Sequence, residues 1–193
     1  MLFNNTDRYG IVAITLHWSI AMLIFSNGAL AYWFNEVLTR NDSARLQLLQ
    51  THKSIGLTVL ILSVARLLWR LGQKTPDLPS QIAPSLRTAA RLTHYLLYFL
   101  MISVPMLGWS VVSAARIEVP THYLGLFRWP NLAVISDMSR SDKRLYGSVL
   151  AQLHKSLAYI MLLLAFSHAG AALYHHFAKR DNVLTRMLPP FVL

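Results

Sequence analysis

The chain has 193 residues, of which 54% are hydrophobic and 13% are charged, against about 25% charged in an average soluble domain. This composition excludes a water-soluble core, an intrinsically disordered chain and a collagen-like fold. The net charge is +10 and cysteine is absent, which excludes disulfides, thiolate zinc sites, iron–sulfur clusters and cysteine-linked haem.

The charged residues leave three charge-free runs, at 9–35, 92–115 and 156–178. Each run is long enough for the roughly 20 apolar residues with which a helix crosses a bilayer. In chain order the sequence predicts four membrane-spanning helices, at about 11–34, 51–70, 92–115 and 146–177. The chain, 1–193, is therefore predicted to be a single all-α membrane domain, a four-helix bundle.

Three features within the predicted helices refine this assignment. The first helix closes on Tyr32, Trp33 and Phe34, which are typical of the aromatic belt at a membrane interface. The second contains Arg66, whose charge must reach the headgroups or an anionic partner. The third contains Pro105, which predicts a kink.

The connections between the helices hold most of the positive charge. The segment 36–42 is polar, and 43–50 is predicted to form a surface turn of helix. The segment 73–91 has a proline-rich loop composition, with a short helix predicted from Ser85, and 116–144 is polar and mixed. We expect these cations to contact lipid headgroups, and we expect no nucleic-acid partner.

The distribution of charge gives only a weak orientation in the membrane. With four spans both termini lie on one side, and each side carries nine of the Lys and Arg residues. The side of the termini has three acids and the other side has five. This small difference favours a multi-pass membrane protein with its termini on the cytoplasmic side.

Histidine inside a membrane helix indicates function, because burying it there is costly. His154 and His168 are 14 residues apart on the fourth predicted helix, so they share a face about 21 Å apart along the axis. His17 and His52 lie near the starts of two antiparallel helices, at opposite depths. His52 then matches His154 in depth, and His17 matches His168. Two such pairs are the arrangement for two bis-imidazole b haems enclosed by a bundle.

Two glycines have positions that fit a planar cofactor. Gly28 follows His17 by 11 residues, which places it on the same face at the opposite depth, where a haem would pass. Gly56 lies one turn after His52 on its face. Clearance for haem is one interpretation of these glycines, and close packing of membrane helices is the other.

Two further side chains are predicted to contact a cofactor. Arg66 lies 14 residues after His52 and would face the second haem, where it could pair with a propionate. His94, at the head of the third helix, is an alternative iron ligand or a contact to a quinone or a propionate. A zinc site is the rival hypothesis for the buried histidines, but zinc requires three or four ligands around one point.

Short motifs along nearly the whole chain resemble those of the bacterial cytochrome b561 family. They are, in order, Leu16-His17-Trp18, His52-Lys53-Ser54-Ile55-Gly56, Arg66-Leu67-Leu68-Trp69-Arg70, His94-x-x-Leu97-Tyr98, Pro105-x-x-Gly108-Trp109, His168-Ala-Gly-Ala-Ala-Leu-Tyr-His175-His176, and Asp181-Asn-x-Leu184-x-Arg186-Met187-Leu188-Pro189.

This resemblance implies a four-helix inner-membrane protein with two b haems that carries electrons between a donor and ubiquinone. Its ligand positions map onto His17, His52, His154 and His168. One branch of the family resembles a superoxide oxidase, which takes an electron from superoxide at the outer face and reduces ubiquinone. The alternative is a cytochrome b electron-transfer subunit that serves a partner redox protein, such as a periplasmic one, and a cofactor-free structural bundle is a third hypothesis.

Overall fold

The computed structural model describes residues 1–39, 42–76, 83–115 and 119–189, and long helices dominate it. Within these ranges the principal helices are α1 (Ile11–Tyr32), α2 (Ser43–Leu71), α3 (Pro84–Ser113) and α5 (Arg140–Tyr174), with a short α4 (Ala133–Ser136) before the last. Single π-helical turns extend α1 to Val37 and α5 to Lys179. The predicted connections at 36–42, 73–91 and 116–144 lie partly outside the described residues.

Four of the described helices are long and apolar enough to cross a membrane. This finding confirms the predicted all-α, four-span architecture. Three helices begin earlier than predicted, at Ser43, Pro84 and Arg140, because hydrophobicity marks only the part of a helix that lies in lipid. Helix α2 begins at Ser43, where the side chain of Asp42 accepts a hydrogen bond from the Ala44 amide at 2.9 Å.

Helices α3 and α5 also begin several residues before the predicted starts, in polar sequence outside the hydrophobic part. Helix α3 begins with Pro84, a residue favoured in the first turn because it has no amide hydrogen to satisfy. Helix α5 begins at Arg140, where the Ser139 hydroxyl accepts from the Asp142 amide. The predicted surface turn at 43–50 is therefore the first two turns of α2.

The described helices pack in sequence order, α1 on α2, α2 on α3 and α3 on α5, and α1 touches α5 only sparsely. An apolar layer fills the middle of the bundle; its buried members are Ile20, Ile24, Val59, Leu100, Met101, Val104 and Met161. The outer faces of the helices are also apolar, as expected for surfaces solvated by lipid. Pro105 lies inside α3, which continues through it as helix.

A β-hairpin stands where the sequence predicted only a polar connection. Strand β1 (Thr121–Tyr123) pairs antiparallel with β2 (Phe127–Trp129), and Leu124 and Gly125 between them have positive φ angles of 51° and 74°. Each strand has three residues, which is too short for an alternating pattern to be recognised in a sequence.

The hairpin is held against the start of α2 by side-chain hydrogen bonds. The Gln50 amide donates to the Pro120 carbonyl at 2.7 Å. The Ser54 hydroxyl donates to the His122 carbonyl at 3.2 Å and accepts from the Leu124 amide at 3.1 Å. These contacts fix the hairpin over one end of the helix bundle.

Candidate functional site

The structure brings the four predicted ligands together as two pairs, one at each end of the bundle. The ring centres of His52 and His154 lie 6.2 Å apart with their planes at 84°. The ring centres of His17 and His168 also lie 6.2 Å apart, with their planes at 80°. All four side chains are half-buried. The depth matching expected from helical periodicity thus corresponds to close side-chain pairs.

The spacing within each pair fits one metal atom between two imidazoles. Two metal–nitrogen bonds of about 2.0 Å, plus about 1.1 Å from each nitrogen to its ring centre, give about 6.2 Å. Imidazole is a ligand that haem iron accepts on its axis. Both pairs are therefore compatible with a bis-imidazole iron, and b-type haem is what the chemistry of this donor set fits.

Backbone carbonyls orient both rings of the His52–His154 pair. His52 Nδ1 lies 3.3 Å from the Asn27 carbonyl oxygen, and His154 Nδ1 lies 2.9 Å from the Val104 carbonyl oxygen. Because a carbonyl only accepts, each Nδ1 must carry the hydrogen, which leaves the lone pair on Nε2. Such a bond fixes the tautomer and orientation of a metal-binding imidazole.

A cavity of about 450 Å³ surrounds this pair, between the helices and under the hairpin. It lies in the size range of small-molecule and cofactor sites. Its lining includes both imidazoles, three glycines, two lysines and part of the hairpin: His52, His154, Gly28, Gly56, Gly108, Lys53, Lys155, Thr121 and Trp129.

The glycines of the cavity meet different neighbours. A Cβ atom on Gly108 would lie 3.0 Å from His154 Cε1, so the imidazole ring rests directly on this backbone. At Gly28 a Cβ would lie 3.1 Å from Leu162 Cδ1, which is a close approach of α1 to α5. At Gly56 the nearest atom would be Asn27 Nδ2 at 3.7 Å, an ordinary contact, so packing alone does not demand glycine there.

The His17–His168 end has a third imidazole and a cluster of cations. The ring of His94 lies 5.3 Å from that of His168, closer than two metal–nitrogen bonds would place it. Arg66 Nε donates to the Tyr98 hydroxyl at 3.0 Å, and the guanidinium carbon of Arg70 lies 5.5 Å from the centre of the Tyr98 ring. Among the described residues, no hydrogen bond to a ring nitrogen of His17 or His168 is found.

The hypothesis of a zinc site finds no cluster to support it. In the described ranges, no group of three or more His, Cys, Asp or Glu side chains is arranged to hold a metal ion.

The chain termini pack together beyond the His17–His168 end. Trp18 Nε1 donates to the Met187 carbonyl at 2.8 Å, and the Arg8 guanidinium donates to the Thr185 carbonyl. Nearby, His175 Nδ1 contacts Asp181 Oδ2. Burial acts to raise the pKa of Asp181, but hydrogen bonds from His175 and the Val183 amide outweigh it and lower that pKa below its ordinary value.

Sequence reasoning missed three parts of the cavity around His52 and His154. The carbonyls of Asn27 and Val104 carry no side-chain signature, so nothing in the sequence could have shown them. Gly108 stands in the motif Pro105-x-x-Gly108-Trp109, where a glycine one turn after a proline was a readable sign of close approach. Trp129 lies in the unpredicted hairpin, and its role depends on that fold.

Comparison with known proteins agrees with this architecture. A family model described as prokaryotic cytochrome b561 matches residues 8–190. Cytochrome b561 homolog 2 of Escherichia coli (strain K12) is 31% identical over 189 residues, covering 97% of this chain and 95% of that protein.

Two further relatives match over similar lengths. Cytochrome b562 of Cereibacter sphaeroides is 30% identical over 94% of this chain and 96% of its own length. The probable superoxide oxidase CybB of Yersinia pestis is 25% identical over 94% of this chain and 96% of its own length.

Proposed function

The chain belongs to the prokaryotic cytochrome b561 family of membrane electron-transfer cytochromes, and from this premise we propose that it carries electrons across the bacterial inner membrane through two b haems. The electrons pass between a donor at the outer face, such as superoxide, and ubiquinone in the membrane. The observation that carries the proposal is the pair of imidazole couples at opposite ends of the bundle, each with ring centres 6.2 Å apart.

In this proposal His52 and His154 hold one haem iron, and His17 and His168 hold the other. Haem would supply a one-electron redox centre there, and with two imidazole ligands it would favour electron transfer over binding of oxygen. The carbonyls of Asn27 and Val104 hold the tautomer that would leave Nε2 of each ring in this pair able to bind iron. We assign His94 a second role, because His17 already faces His168 at the ring-centre distance that one iron would span.

Other residues shape the two sites. Gly28 and Gly56 line the cavity around His52 and leave room for a flat cofactor. The lack of a side chain at Gly28 also allows Leu162 to pack closely against α1. Arg66 lies beside the other pair and is proposed to pair with a haem propionate there. The apolar layer between the pairs, which includes Leu100 and Met161, excludes water and ions from the electron path.

The direction of the path follows from the proposed orientation. With the termini in the cytoplasm, the hairpin and the His52–His154 pair face the periplasm, and the His17–His168 pair faces the cytoplasm. His94 is proposed to contact ubiquinone or a propionate near the second haem. A relative of this chain is named a probable superoxide oxidase, which supports superoxide as the donor to be tested first.

We expect two haems per chain. Each depth-matched pair can hold one iron, and the pairs lie too far apart to share one. A pyridine haemochrome assay on purified, fully loaded protein should give a ratio of two haems to one chain. A ratio of one would contradict the two-haem proposal, and the absence of a b-type band in the dithionite-reduced minus oxidised spectrum would leave only a structural bundle.

The purified protein should reduce ubiquinone with superoxide, and the rate should fall as ionic strength rises. The proposed outer side has nine Lys and Arg residues against five acids, and a basic surface attracts small anions over long range. Salt screens this attraction. The measurement is the rate of superoxide-dependent quinone reduction from low to high salt, and a flat profile would contradict electrostatic capture of the donor.

A second candidate function is that of an electron-transfer subunit for a partner redox protein. The connection that contains the hairpin exposes apolar side chains, with Leu126 77% and Val134 83% accessible, as a docking surface would. The same assay separates the two functions. A protein that is fully loaded with haem but inert toward superoxide and ubiquinone on its own would support the partner-dependent role.

A further inference from the structure

The indole nitrogen of Trp129 is a buried hydrogen-bond donor without an acceptor among the described residues. Trp129 lies at the end of strand β2 and lines the cavity that contains His52 and His154. Its ring packs against Tyr123, Phe127 and Trp109, with ring centres 5.6, 6.2 and 5.7 Å away. The aromatic cluster therefore fixes the ring, and its N–H group is left for whatever fills the cavity.

Cationic and polar side chains line the same cavity as this donor. Thr121 is the cross-strand partner of Trp129 and is itself buried against the cavity. Lys53 donates to the carbonyl of Val119, two residues before Thr121, at 3.1 Å, which places its ammonium group beside the hairpin. An ammonium has three hydrogens, so Lys53 keeps donors for a second acceptor.

Lys155 lines the same cavity from α5, and Glu36 lines it as an acid from the end of α1. The cavity thus has two ammonium groups and one indole N–H as donors, and one carboxylate as an acid. This excess of positive donors suits an anionic oxygen acceptor. A b haem carries such acceptors, the carboxylates of its propionates, on one edge of the ring. A small anion from solvent has the same chemistry and is the alternative source.

We propose that Trp129, with Lys53 and Lys155, binds the propionate carboxylates of the haem held between His52 and His154, so that the hairpin is part of the haem site. The inference rests on the proposed function in one respect, that a haem occupies this cavity. A hydrogen bond from a neutral donor to a carboxylate is charge-assisted and hence strong for its type. The hairpin then retains the cofactor in addition to covering it.

The test compares the haem-loaded full-length protein with Trp129→Phe, which keeps an aromatic ring and removes the N–H. Release of this haem to excess apomyoglobin should be about tenfold faster in the variant, since a charge-assisted hydrogen bond is lost. The indole donor stabilises the ionised propionate, so its loss should also move the inflection of the midpoint potential to higher pH. Trp33→Phe, at an exposed indole outside the cavity, is the matched control and should change neither quantity.

Reconstitution with haem dimethyl ester identifies the acceptor, because the ester has no carboxylate. The difference in release rate between wild type and Trp129→Phe should then be largely abolished. A difference in release rate that persists with the ester would overturn the proposal, because the mutation would then only loosen the hairpin. Trp109→Phe deletes the hydrogen bond from Trp109 Nε1 to the Pro130 carbonyl and tests the same point. If it accelerated release as much as Trp129→Phe does, the proposal would also be overturned.

Equal release rates in wild type and Trp129→Phe would also overturn it, because the donor would then be satisfied by solvent or by a soluble anion. Failure of the underlying function has a separate signature. In that case wild-type protein would hold no haem between His52 and His154, and His52→Ala would leave the b-type spectrum unchanged.

Discussion

His52→Ala and His154→Ala should each remove the same haem, and the double variant should lose no more than either single one. The two rings lie 6.2 Å apart and are proposed to hold one iron, so their effects are not additive. The haem ratio should fall from two to one, and one low-spin signal should disappear from the electron paramagnetic resonance spectrum. His122→Ala, at an exposed histidine of the hairpin, is the control and should retain both signals.

Combining His52→Ala with His168→Ala should instead disturb both haems. His154 and His168 are separated by about 21 Å of helix axis, which neither side chain can bridge to reach the other iron. His94→Ala should leave both low-spin signals intact and lower only the rate of quinone reduction. Should His94→Ala abolish a low-spin signal while His17→Ala leaves both, α3 would carry a ligand and the assignment of the second pair would be wrong.

Helical periodicity predicted the pairs because a membrane helix is a nearly regular object. Once the spans were placed, the rise and angle per residue determined which histidines share a face and a depth. The depth of His94 could also be read from the sequence. Its nearness to His168, with ring centres 5.3 Å apart, depends on the rotation of α3 within the bundle, which its apolar composition does not specify.

The cavity around His52 could be predicted only in part, because some of its lining residues lie on helices and others lie on the hairpin. Gly28 and Gly56 were found because they lie on the helix faces that carry histidine. The hairpin residue Trp129 could not be found this way, because it reaches the cavity through a turn at Leu124 and Gly125 and through hydrogen bonds to α2. Contacts of this kind depend on tertiary structure and leave no periodic signal.

The two ends of the bundle also differ in the groups that surround the histidines, which no count of histidines would reveal. At one end, backbone carbonyls hold His52 and His154 in place. At the other, Arg66 and Arg70 lie against the ring of Tyr98, at 5.7 and 5.5 Å from its centre.

Gly108→Leu should eliminate the His52–His154 haem and retain the other one. An added Cβ atom at Gly108 would lie 3.0 Å from Cε1 and 3.3 Å from Nδ1 of His154, and the remaining leucine carbons would need the space of the ring itself. The ring of His154 cannot turn aside freely, because its Nδ1 is hydrogen-bonded at 2.9 Å to the carbonyl of Val104, which lies on α3 together with Gly108. The expected result is one haem per chain by pyridine haemochrome assay.

The smaller change Gly108→Ala separates a steric cause from general damage to the bundle. A single methyl group requires the imidazole to move by only a few tenths of an ångström, so both haems should bind while the low-spin signal of one is shifted. Gly170→Leu is the matched control, since among the described residues no atom beyond the neighbouring turns of its own helix lies within 4 Å of a Cβ at this exposed position of α5. If Gly108→Leu kept two haems with unshifted signals, His154 would not be held against α3, and an iron ligand would have to come from elsewhere.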